Sequence, residues 1–137
     1  MNLSKNFTLS EMIASSTAAK RGIKNIPDKG QIENLGKLCR EVLQPVRDKI
    51  NCPLIVTSGF RSPVLNHIVG GSATSQHLRG EAADIVSVNN LLLWQITIKM
   101  VEMGEIEVGQ LINEKNLSWR HISLPTSTHK NQILSIL

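Results

Sequence analysis

Between residues 32 and 50, apolar side chains fall at Ile32, Leu35, Leu38, Cys39, Val42, Leu43, Val46 and Ile50, the spacing of one helix face. Pro27 and Asp28 stand where such a helix would open. Pro45 lies inside the pattern and should kink or interrupt it, because the ring removes an N–H and crowds the preceding turn. Upstream, Thr8 and Glu11 have capping-box spacing, which predicts a helix over residues 9–20.

The period changes in the second half. Residues 54–57, Leu-Ile-Val-Thr, are a short β-branched run that reads as a strand ending at Ser58-Gly59. Further strands are predicted at residues 82–88, 108–112 and 119–123, with a turn at Pro125 and one more strand in the tail, 132–137. Asn89 is placed to cap a helix over residues 91–103 that Gly104 ends. Residues 60–79 are rich in Gly, Ser, Pro, Asn and His and read as a long irregular connection, which is uncommon unless it serves a function. Helices first, then mostly antiparallel strands with one inserted helix, predict an α+β fold with N-terminal helices packed on a small sheet. With no repeat, low-complexity tract or linker, residues 1–137 read as a single domain large enough for a core.

Composition narrows the function classes. Two Trp, two Phe and no Tyr leave few platforms for stacking nucleic-acid bases, and the net charge of +4 is dispersed rather than gathered in a basic run. Nucleic acid is therefore not an expected partner, whereas an anionic wall polymer is compatible with the charge. No apolar stretch approaches a membrane span, and MNLSKNFTLSEMIASS has no apolar signal-peptide region. The expectations are a monomer, made in the cytoplasm, without stable membrane association. Cys39 and Cys52 share no C-x-x-C spacing and read as buried free thiols.

The candidate chemistry lies in SGFRSPVLNHIVGGSATSQHLRGEAADI, which contains S-x-H-x-x-G-x-A-x-D at Ser75, His77, Gly80, Ala82 and Asp84; W-x-H follows at Trp119 and His121. A catalytic zinc takes three protein ligands and keeps one position open. His77 at the end of the loop and Asp84 on the next strand can converge across a tight turn at Gly80. Trp119 and His121, two residues apart, share one strand face. If that strand adjoins the Asp84 strand, His121 completes a set that brings a bound water toward a pKa of about 7. His67 and His129 read as surface or hydrogen-bonded residues and Trp94 as core. Strand alternation should turn Glu81 away from the Asp84 face.

Several motifs together carry a resemblance: S-G-F-R-S-P at residues 58–63, L-N at 65–66, V-G-G at 69–71, S-Q-H-L-x-G-x-A-A-D-I at 75–85, Q-L-I-x-E at 110–114 and W-x-H-I-S at 119–123. Through them residues 7–123 resemble the zinc D-Ala-D-Ala carboxypeptidase and L-alanyl-D-glutamate endopeptidase family, especially its short branch from phages and prophages. The resemblance implies a hedgehog-like α+β fold and one zinc ion held by His77, Asp84 and His121. It implies hydrolysis of amide bonds in peptidoglycan stem peptides, by a D,D-carboxypeptidase or an endopeptidase. Arg61 matches the arginine that polarises the scissile carbonyl. Ser75 matches a substrate-contacting serine, although a hydroxyl beside a turn can equally cap it. Trp119, on the strand face of His121, would wall the metal site or equally serve as ordinary core.

In many relatives a Glu stands three residues before the last zinc histidine, and here that position is Ser118. The general base is then expected at Glu114 of Q-L-I-x-E, with Glu107 as the second candidate. A lytic or virion-associated enzyme would reach the wall after release from the cytoplasm. Two alternatives keep the fold without the reaction: a zinc-containing binding module, which the missing Glu suggests, and a phage structural component stabilised by its metal.

Overall fold

The computed structural model describes residues 1–137. A short hairpin, β1 (Asn2–Ser4) and β2 (Phe7–Thr8), opens the chain, its strands too brief to show a period in the sequence. Thr8 Oγ1 accepts from the Glu11 N–H while the Glu11 carboxylate accepts from Thr8 N–H, a reciprocal cap on α1 (Leu9–Ile13). The helix expected over 9–20 is broken in two. Ala14 is extended, and Ser15 caps a separate α2 (Ser16–Arg21) by accepting from Ala18 N–H. Serine hydroxyls compete for backbone N–H groups and favour caps over helix interiors.

Asp28 and Gln31 form a second reciprocal cap on α3 (Lys29–Leu38). This helix continues through a π turn, Cys39–Leu43, into α4 (Gln44–Ile50). The interruption expected at Pro45 takes the form of this π turn just ahead of the proline, whose wider winding makes room for the ring.

Five strands form the main sheet: β3 (Ile55–Ser58), β4 (Ala82–Val86), β5 (Gln110–Glu114), β6 (Trp119–Ser123) and β7 (Gln132–Ser135). Their order is β3-β4-β6-β5-β7, antiparallel except for the parallel β5–β7 pair. β5 begins two residues later than expected, at Gln110; Gly109 just before it packs so close to the chain after β6 that a Cβ would strike the Leu124 carbonyl. β4 ends at Val86, where Ser87, Asn89 and Asn90 begin a capping network for α6 (Asn90–Glu102).

The segment 60–79 is not irregular throughout. Ser62 Oγ accepts from Leu65 N–H to cap α5 (Pro63–Ile68), with proline at the first helical position, and a 3-10 turn spans Gln76–Arg79. Its turn-forming composition hid a cap-and-proline signal that was present.

Strand alternation separates the two faces of the sheet. Ala83, Ile85, Leu111 and Ile122 are fully buried against Leu35, Leu38, Val42, Val46 and Leu93 of the helices. Trp94 packs half-buried on that core. The opposite face carries Asp84 and His121. Arg120 points to the core side, fully buried. Its guanidinium donates to the carbonyls of Asn90 and Leu117, each at 2.9 Å, and so ties the β5–β6 turn to the start of α6. No helix is long and apolar enough to cross a membrane. Cys39 is buried and Cys52 half-buried, both free.

Candidate metal centre

Asp84 pairs in register with His121 on β6 and with Ser58 on β3, so the Asp84 and His121 side chains stand side by side on one face. His77 comes from the 3-10 turn, whose first N–H groups are capped by Ser75: its Oγ accepts from His77 N–H at 3.2 Å. Gly80, at φ 73°, then turns the chain into β4 in a left-handed conformation. A Cβ there would also press on the Gln31 carbonyl.

Asp84 Oδ1 lies 3.4 Å from His77 Nε2 and 3.4 Å from His121 Nδ1. The two imidazoles meet edge to face, centroids 5.2 Å apart. His77 Nδ1 is 2.7 Å from the Gly59 carbonyl. A carbonyl only accepts, so Nδ1 carries a proton, and with a metal bound Nε2 would present its lone pair to the ion. His77 and Asp84 are buried, and His121 is partly open.

The second carboxylate oxygen of Asp84 accepts from an Arg61 Nη at 3.3 Å. Arg61 is itself held, donating through Nε to Ser58 Oγ at 2.9 Å and through its other Nη to Asn66 Oδ1 at 3.3 Å. Burial pushes the Asp84 carboxyl up, but the hydrogen bonds and charges of His121 and His77 outweigh it and hold the group well below the usual carboxylate range. Burial lowers the Arg61 pKa while Asp84 opposes that, and a guanidinium stays charged under such shifts.

The donor set fits zinc. Tetrahedral zinc with bonds near 2.1 Å spaces its donors by about 3.4 Å, which is the separation of both His–Asp pairs. All three donor atoms lie within 4.8 Å of one another. Two imidazoles and one carboxylate oxygen, each anchored behind by a carbonyl, a guanidinium or a strand, could hold one ion between them.

His121 opens onto a cleft of about 590 Å³ whose lining contains no apolar side chain. One wall is Ser72, Thr74 and Gln76, and the other is Gln110 and the turn at 126–129. Glu81 also lines this cleft, contrary to the expectation that alternation would turn it away. It precedes β4 and follows left-handed Gly80, so the strand's pleat does not govern its direction.

Glu114 ends β5 directly opposite Trp119, on the sheet face that carries His121. Lys115 lies over the Trp119 ring at 5.5 Å. Glu107 precedes β5, faces Lys130 at 3.9 Å and lines a separate hollow with Lys37 and Glu41. His67 borders a third hollow with Asn66 and Gly71, and His129 is exposed on the rim of the main cleft. The anchoring roles of Gly59, Ser58 and Asn66 were not foreseen. Their only signal was membership of the S-G-F-R-S-P and L-N motifs.

An α+β domain that gathers three such donors beside an open polar cleft defines a metal-centre protein of the hydrolase type. Residues 5–122 match the family model described as Peptidase M15, and the chain belongs to that family of zinc-dependent peptidases. The α+β architecture agrees with an M15 peptidase-like fold. Comparison with curated proteins finds no match.

Proposed function

We propose that this M15 domain hydrolyses amide bonds in peptidoglycan stem peptides as a phage or prophage lytic enzyme. It would act on the wall after release from the cytoplasm or from a virion. The observation that carries the reading is the convergence of His77, Asp84 and His121 beside a polar cleft. The phage assignment rests on the likeness to the short single-domain branch.

A bound zinc supplies the Lewis acidity that acidifies a water and polarises a carbonyl. His77, Asp84 and His121 hold it, with the Gly59 carbonyl and Arg61 fixing two of the donors from behind. Glu114 takes the proton of the attacking water and delivers it to the leaving amine. Its register supports that role: Glu114 lies opposite Trp119 on the sheet face that carries His121. Each Arg61 Nη keeps an N–H beyond those given to Asp84 and Asn66, and these meet the negative charge developing on the scissile oxygen. A fixed donor of this kind contributes roughly 2.7–4 kcal/mol to a transition state. Ser75 accepts from His77 N–H, which leaves its own hydroxyl hydrogen for substrate. Trp119, opposite Glu114 and on the strand face of His121, would wall the site.

Mass spectrometry of purified muropeptides incubated with zinc-loaded protein tests the reading. Glu114→Gln should keep zinc and lose hydrolysis by about 10²–10⁴-fold. A wild-type chain that binds zinc and releases nothing points instead to a binding module. One that unfolds on zinc removal without ever cleaving points to a structural component.

A further inference from the structure

Resting on the peptidase reading, we infer that the enzyme cuts internal peptide bonds without recognising a free terminal carboxylate, and so acts as an endopeptidase. A carboxypeptidase must pair the carboxylate next to the scissile bond with a cation, because an unpaired anion is costly to desolvate. Two arginines stand near the centre. Arg61 gives N–H groups to Ser58, Asn66 and Asp84, and the two that remain are those assigned above to the scissile oxygen, so none is left for a terminal carboxylate.

Arg79 lines the cleft but donates through Nε to Glu81 Oε1 at 2.7 Å. Glu81 lines the same cleft, its side chain largely covered, so the two charges cancel and an incoming carboxylate meets a like charge. What remains is neutral. Gln110, Thr126 and Thr128 offer amide and hydroxyl groups suited to the N–H and C=O groups of a continuing peptide. At about 590 Å³ the cleft is also of a size that holds a ligand of several residues.

The test compares two synthetic stem peptides that differ only at the C-terminus, one a free acid and one an amide. The zinc-loaded protein is assayed at about pH 8. Both peptides should be cut at the same internal bond, with kcat/KM values within about threefold. A preference for the free acid above about tenfold, with release of the terminal residue, overturns the inference and leaves the peptidase reading standing. Hydrolysis of neither peptide overturns both.

Glu81→Gln releases Arg79 from its partner. It should raise the rate on the free acid relative to the amide by several-fold. An unaltered ratio would remove the Arg79–Glu81 pair as the reason for carboxylate rejection.

Discussion

Arg61 donates to one oxygen of the Asp84 carboxylate at 3.3 Å, while the other oxygen of that carboxylate faces both imidazoles. The guanidinium thereby decides which oxygen is presented as a ligand and keeps the carboxylate from rotating. Replacing Arg61 by Met should weaken zinc binding by about 10–100-fold, the usual cost of losing an outer-shell partner. Competition with a chromophoric chelator measures it. Unchanged affinity would confine Arg61 to the substrate.

Zinc removal should destabilise the chain without dissolving its fold. The 22-residue core cluster lies on the other face of the sheet and needs no metal to be buried. At a hundredfold excess over Kd, bound zinc adds about 2.7 kcal/mol. Dialysis against chelator should therefore lower Tm while far-UV circular dichroism keeps its helix and strand signal. Loss of that signal at room temperature would show that the metal carries the fold.

Burial pushes the Cys39 thiol from 9.0 to about 12, aided by the charge of Glu11 and opposed by Arg40. The native state thus keeps this proton while the unfolded chain gives it up. Stability is whole below about pH 9 and is lost as pH rises toward 12, by up to about 1.4 kcal/mol for each unit. Denaturant midpoints between these pH values should fall less steeply for Cys39→Ala. A thiol reagent at neutral pH should reach half-buried Cys52 first, and Cys39 only on unfolding.

Gly59 has no room for a side chain, since a Cβ would collide with the Met12 carbonyl. Its own carbonyl holds His77 Nδ1. Gly59→Ala should cost roughly 1–3 kcal/mol in stability as the backbone shifts, and zinc affinity should drop with it. Calorimetry with and without metal separates the two effects, and a stability loss with no change in affinity would sever Gly59 from the metal centre.

Much of this molecule was legible one segment at a time. Thr8–Glu11, Asp28 and Asn89 announced helix starts because a cap is a contact within four residues. The three donors could be named because the motif spacing carries them. What failed were judgements that depend on context. Pro45 signalled an interruption without saying that a π turn would supply it, and Ser62-Pro63 started a helix inside a stretch whose composition suggested a loop.

The sequence by itself determined the α+β order of elements, the faces that must be buried, and the identities of His77, Asp84 and His121. Only the tertiary structure decided that these side chains meet, because the meeting depends on which strands are neighbours and in what register. A slip of one residue between β4 and β6 would have put His121 on the core side. The same long-range packing brought Arg61, already tied locally to Ser58 and Asn66, against Asp84 on a neighbouring strand. A contact between separate elements leaves no periodic trace in the chain, so no local pattern could have foretold it.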